Sequence, residues 1–552
     1  MNRDIYINSA QYLVCLLVVL FSTRTLAGEE EKVLWNLLGL RITASVPADV
    51  ISESVILIVT NPITVSLELG DTVILETVED GRLRAEITYL DDTKGEIAGL
   101  VFDSDGGTFA IKQEGEFITA KIINPASKWA YEVFSNGAES LIFAKDIYSV
   151  ICFDLPVLGV EADNFDELLL TEDNSGNFAT TSATVPTLSS RVASQNVIYL
   201  DFDGETVTDP LWNHGVTFTV LAADFPSDGN PSVFNQLELI LINKIFLAVA
   251  EDFSPFDVNV TTDRSVYDLA PTNQRQQVII TSTNWYSGSQ NPVSGMAYIN
   301  TFYEVKDTPV WSFRFYNSIY SASTISHEIG HALGLLHDGI NGDEYHLGEG
   351  KWGPIMGSPY LATSPGSVHQ WSNGDYANST NQEDDIEILE KGIGSLDHVV
   401  GLGSVNDRPS NLRIKQSQSE FILNNADIDT YYIDLKAGQT LDVRLESTAF
   451  TAPNKPNLDA QLTIYDSLGN TVILSNPIGS PPLMNASVIY PVPTTGRYTI
   501  EVKGVGYIDP GYRYSNYGSI GSYTLSVNSP VLSGQSTVLL PIYYMLLLDE
   551  EY

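Results

Sequence analysis

Three of the seven histidines in this 552-residue chain, His327, His331 and His337, fall within one eleven-residue window. The first two are four residues apart, which on a helix puts both imidazoles on one face, one turn apart. Two imidazoles so placed can share one Zn²⁺ ion. Glu328 follows the first and stands beside that ion without needing to bind it. Gly334 can end the helix in a left-handed conformation, so that the chain turns back and delivers His337 as a third ligand. Three protein ligands leave a fourth position for water, which marks catalytic rather than structural zinc. The expected chemistry is hydrolysis. Zinc lowers the pKa of its water to about 7, Glu328 takes the proton, hydroxide attacks a polarised peptide carbonyl, and Glu328 returns the proton to the leaving amine. Incidental surface histidines on a helix do not account for all five residues at these offsets.

The elements that must position these residues can be read around them. A helix is expected over Thr324–Leu336 and a second over Ser232–Glu251, with Leu237, Ile240, Leu241, Ile245, Ala248 and Val249 at helical spacing and Ser232 as its cap. Val197–Phe202, Val278–Thr281 and Met296–Ile299 read as strands. The zinc-binding domain is therefore α+β and spans residues 196–405. Before it, residues 28–170 alternate short apolar runs with turns such as Asp80-Gly81, the signature of a β-rich domain. Residues 171–195 are rich in Ser and Thr and read as an exposed linker and a site for proteolytic processing. Residues 410–528 return to period-two strands and read as a β-sandwich. The chain is thus multidomain: a β-rich leading domain, an α+β catalytic domain and a C-terminal β-sandwich. The tail, residues 529–552, has no assigned role.

Residues 1–27 read as a secretory signal, with Arg3 ahead of the apolar run Leu13–Phe21 and small residues before Ala27. The run is well short of the ~20 residues a bilayer span requires, so the mature chain is expected to be extracellular, without a stable membrane span. Without that segment Cys152 is the single remaining thiol and no intramolecular disulfide can form. Asp and Glu number 69 against 28 Lys and Arg, a net charge of −41. Such a polyanion repels phosphate backbones and excludes nucleic acid as a partner. The sequence leaves oligomeric state open.

The pattern His327-Glu328-x-x-His331-x-x-Gly334-x-x-His337 resembles the extended zinc motif of the metzincin metallopeptidases, and Asp338 after it is similar to the reprolysin branch. The resemblance spans about residues 196–390 and is strongest to a bacterial secreted group, although the cysteines that brace animal reprolysin domains are missing. It implies that Met356, in Pro354-Ile355-Met356-Gly357, forms the Met-turn under the ligands. It implies too that Gly295, Met296, Ala297 and Tyr298 form the edge strand that binds substrate by adding the peptide to the sheet. Tyr360 lacks the spacing of a zinc-approaching tyrosine. The resemblance also raises a role for Cys152: a thiolate can fill the open zinc position and keep a zymogen silent. The neighbours of Cys152 differ from the matrixin switch sequence, and a buried free cysteine is a common core residue. Both readings stay open here. In either case residues 28–170 are expected to be a propeptide.

Residues 424–528 resemble the bacterial pre-peptidase C-terminal domain, which accompanies secreted peptidases. Asp427, Asp429 and Asp459, and separately Asp201 and Asp203, offer oxygen ligands for structural Ca²⁺, though solvated turn carboxylates are the plainer reading. The sequence therefore points to a secreted zinc endopeptidase made as a zymogen, acting on protein or peptide substrates. Two alternatives remain at this level. One is an extracellular binding or adhesion protein with a structural zinc centre. The other is a metal hydrolase of non-peptide amides.

Overall fold

In the computed structural model the described residues lie chiefly within 67–154, 184–396 and 416–528, with short gaps, plus strand segments at 32–33, 41–42, 54–58, 181–182 and 410–412. The expected signal segment, the first part of the expected linker (171–180), Tyr360 and the tail lie outside them.

The leading region is β throughout. Strands from Thr72–Glu76 to Ser140–Asp146 follow one another as an antiparallel meander within a ten-stranded sheet. Alternation decides which face closes: Val73, Leu75, Ile87, Phe109, Ile122 and Tyr131 turn inward to one core.

The central region is built on a six-stranded mixed sheet. Its order across the sheet is Ile151–Asp154, Gly295–Tyr298, Val310–Ser312, Arg275–Ile280, Val197–Asp201, Asn259–Thr261. The last four are mutually parallel, and Gly295–Tyr298 runs antiparallel to its neighbours on both sides. Two helices, Gln236–Asp252 and Ser318–Ala332, pack against each other, and the second also packs on the sheet. Every residue of the second is buried, its polar side chains included. Leu241, Ile245 and Val249 from one meet Ile325 and Ile329 from the other in the main core.

Two helix boundaries differ from expectation. The first helix is capped by Asn235, not Ser232: the Asn235 Oδ1 accepts from the amides of Leu237 and Glu238, and Glu238 Oε2 accepts in return from the Asn235 amide. That reciprocal capping box satisfies the first donors of the helix, and Ser232 lies outside the described residues. The motif helix begins six residues earlier than expected, at Ser318, and ends at Ala332 rather than Leu336. Gly334 stops it with φ +107, the Leu335 amide reaching back to the Gly330 carbonyl and the Gly334 amide to that of His331. This is a Schellman closure, which needs a left-handed residue at that position.

Two sequence boundaries are crossed by packing. Ile151–Asp154 follows the leading meander in the chain yet is the outermost strand of the central sheet. Residues 184–195, inside the stretch read as exposed linker, lie along the Asn259–Thr261 strand. Leu188 and Thr262 exchange bonds there, and the Arg191 amide donates to Asn259 Oδ1.

The C-terminal region is a sandwich of a five-stranded and a four-stranded sheet. Ile433, Leu462 and Ile500 on one meet Val443, Tyr523 and Leu525 on the other. No helix among the described residues is long and apolar enough to cross a membrane.

Candidate metal centre

The motif helix presents His327 and His331 from one face, as their spacing requires, and their Nε2 atoms lie 2.9 Å apart. The Schellman turn then sends the chain back so that His337 closes on them, its ring centroid 5.2 Å from that of His327 and 4.7 Å from that of His331. Each ring is fixed from behind through Nδ1. The acceptors are the Ile355 carbonyl at 2.9 Å for His327, the Leu335 carbonyl at 2.7 Å for His331 and Glu344 Oε1 at 2.7 Å for His337. An acceptor behind each Nδ1 selects the tautomer whose Nε2 lone pair faces forward. The turn that ends the helix thus also supplies the carbonyl that orients His331.

Burial holds two of these imidazoles neutral. It lowers His327 to about 3, with the charge of His337 acting in the same direction. His331 is pushed well below the usual histidine value by burial and by its two histidine neighbours. Neutral rings keep the lone pair that a metal requires.

The fourth group is Cys152. Its Sγ lies 3.1 Å from His337 Nε2 and 3.9 Å from His327 Nε2. Ligand atoms of Cys152, His327, His331 and His337 all fall within 4.8 Å of one another, and no other three His, Cys, Asp or Glu side chains among the described residues converge in this way. Three imidazole nitrogens and one sulfur in so small a volume fit a tetrahedral zinc ion. The calcium candidates are not gathered in this way. Asp427 accepts from the Leu423 amide, Asp429 from the Tyr523 hydroxyl and Asp459 from the Tyr514 hydroxyl, while Asp201 accepts from Gln277.

Cys152 arrives on a strand. Ile151–Asp154 pairs antiparallel with Gly295–Tyr298, placing Ile151 opposite Tyr298, Cys152 opposite Ala297, Phe153 opposite Met296 and Asp154 opposite Gly295. The edge assigned to substrate is therefore covered by the chain itself. Ile151 packs with Trp212, Met296 and Tyr298, a core that also includes Ile123 and Ala130 of the leading sheet.

Glu328 lies between the helix and this edge strand. A Cβ on Gly295 would fall 2.3 Å from Glu328 Oε1, so only glycine leaves room for the carboxylate there. Below the ligands Met356 is fully buried, and a Cβ on Gly330 would fall 2.4 Å from its sulfur. Met356 reaches the motif helix through that missing side chain. Asp338 is buried directly behind His337; its amide donates to the Met356 carbonyl and its own carbonyl accepts from His346. Burial, with Glu383 nearby, raises the Asp338 carboxyl well above the usual range.

Sequence reasoning missed Glu344 and Tyr345. Tyr345 packs tilted against His337 with centroids 4.2 Å apart, and its hydroxyl lies 3.9 Å from the Cys152 sulfur. Neither belongs to a fixed spacing; proximity to the third histidine was the only available signal.

Residues 427–504 match the family described as the bacterial pre-peptidase C-terminal domain. No curated relative matches the sequence. Among solved structures, the pre-peptidase C-terminal domain of collagenase from Bacillus anthracis is similar at 15% identity and a TM-score of 0.16, covering 22% of this chain and 100% of that one. PliG, a periplasmic inhibitor of g-type lysozyme from Aeromonas hydrophila, is similar at 15% identity and a TM-score of 0.15, covering 22% and 96%. Metalloproteinase-II from Bacteroides fragilis is similar at 10% identity and a TM-score of 0.17, covering 52% and 84%. The chain thus joins a histidine–cysteine group that could hold a metal to a protease-associated sandwich.

Proposed function

We propose that this chain is the zymogen of a secreted zinc endopeptidase of the metzincin type. The observation that carries the reading is the convergence of three anchored imidazoles and the Cys152 thiol on one point, beside Glu328. The accompanying pre-peptidase C-terminal domain, a type found with secreted peptidases, supports it. His327, His331 and His337 would hold the zinc. When bound, zinc supplies Lewis acidity toward a water molecule and a peptide carbonyl.

The chain's own residues do the rest. Glu328, held against Gly295, accepts a proton from water and returns it to the leaving amine. The Gly295–Tyr298 strand offers its edge to a substrate backbone, aligning the scissile bond by main-chain hydrogen bonds. In the zymogen Ile151–Asp154 takes that place, and the Cys152 sulfur, 3.1 Å from His337 Nε2, would serve as the further ligand to the metal. Water and substrate are excluded together.

The test uses the full-length, unprocessed chain and a denatured protein substrate. Wild type should be silent. Cys152→Ala should cleave, lose activity to a zinc chelator, and fall by roughly 10²–10⁴ on adding Glu328→Gln, the factor usual for a general base. A folded, zinc-loaded Cys152→Ala chain with no activity sinks the switch. Unchanged activity in the Glu328→Gln double variant sinks the mechanism. The closed Cys–His set also matches a structural zinc centre. Under that reading Cys152→Ala weakens zinc binding and uncovers no hydrolysis.

A further inference from the structure

The C-terminal sandwich does not merely follow the metal-binding domain. Tyr517 and Ile520 of the sandwich belong to the same core as Trp371 and the motif helix. The Tyr517 hydroxyl accepts from the Ile386 amide at 2.9 Å and donates to Asp384 at 2.6 Å. Ser522 donates to Glu251 at 3.1 Å. At the centre of this junction is Asn457, 2% exposed.

Two hydrogen-bond chains run from Asn457 to His327. In one, the Asn457 Nδ2 donates to Asp252 Oδ1 at 2.9 Å, and Asp252 Oδ2 accepts from Ser326 Oγ at 2.6 Å. Ser326 directly precedes His327 on the motif helix. In the other, the Asn457 main-chain carbonyl, which Asn457→Ala leaves in place, accepts from Gln370 Nε2 at 2.6 Å, and the Gln370 main-chain carbonyl accepts from the Ile355 amide at 2.9 Å. The Ile355 carbonyl then fixes His327 Nδ1, also at 2.9 Å. One chain holds the helix at the residue before the ligand; the other holds the ring. Asp252, Gln370, Ser326 and Ile355 are all fully or almost fully buried, so water cannot stand in for a lost partner.

We infer that Asn457 is a positioning residue for the metal ligand His327, and that the C-terminal sandwich is a working part of the metal centre rather than a detachable appendage. The inference rests on the reading of His327 as a zinc ligand. Groups behind a metal ligand set its orientation and basicity, and their loss typically weakens metal binding 10- to 100-fold.

The test measures zinc affinity of the full chain by competition with a chromogenic chelator. Asn457→Ala should bind zinc roughly 10- to 100-fold more weakly than wild type with an unaltered circular dichroism spectrum. In a second experiment, a protease site is introduced within residues 401–409 and cut. The two pieces should elute as one species from a sizing column and keep the zinc affinity of the intact chain. Wild-type affinity in Asn457→Ala overturns the inference. So do pieces that separate while the metal-binding piece keeps full affinity, and this arm decides alone if Asn457→Ala misfolds. A wild-type chain that takes up no zinc would instead overturn the reading of the site.

Discussion

At the scale of single residues the site turns on absent side chains as much as on present ones. Gly295 and Gly330 let Glu328 approach the edge strand and Met356 the motif helix at distances no Cβ allows. Gly295→Ala, in a chain carrying Cys152→Ala to free the site, should therefore displace the carboxylate. The expected result is a fall in kcat/KM towards that of Glu328→Gln, with zinc affinity retained; equal kinetics would show that Glu328 works from elsewhere. His327, Glu328, His331, Gly334 and His337 were legible because their offsets encode geometry directly. The Nδ1 acceptors were not. Two are backbone carbonyls, which have no sequence identity, and Glu344 is one of 69 acidic residues.

At the scale of elements, the period of the hydrophobic pattern identified helices and strands, while ends and partners depended on local chemistry. Asn235 won the capping position because Glu238 completes a reciprocal pair with it. The motif helix stops where the Schellman bonds close, two residues before Gly334. The strand partner of Gly295–Tyr298 could not be read from the sequence, because main-chain pairing is indifferent to side-chain type. That pairing makes its own prediction. A synthetic peptide covering Ser149–Pro156 should inhibit the processed enzyme competitively against a peptide substrate. Replacing its cysteine by serine should raise the inhibition constant at least ~10-fold, the thiolate being much the better zinc ligand. A peptide that inhibits non-competitively, or equally well with serine, would place the strand outside the substrate path.

At the scale of the whole molecule, three regions were visible in composition and periodicity, and their boundaries were not. Ile151–Asp154, residues 184–195 and Tyr517–Ile520 each sit in one region of the sequence and pack in another. Contacts between distant segments leave no periodic trace. The junction between the sandwich and the centre also carries a titrating group. Burial raises the Asp459 carboxyl to about 7, the Tyr514 hydroxyl acting in the opposite direction. The folded state thus holds this proton more tightly than the unfolded chain, whose carboxyl sits near ~4. The contribution is full below that value and is lost as pH rises through about 7. Thermal melts across this range should show the wild-type midpoint falling relative to Asp459→Asn; parallel curves would refute the assignment. The pairing of Ile151–Asp154 with the edge strand has one more consequence, for kinetics. A strand tethered to its target competes at an effective concentration on the order of millimolar. Cutting the chain removes the tether but none of the hydrogen bonds that seat the strand. Activity should then emerge after a lag set by dissociation, and dilution after cutting should raise the final activity per enzyme, leaving the lag unchanged, where concentrated enzyme stays latent.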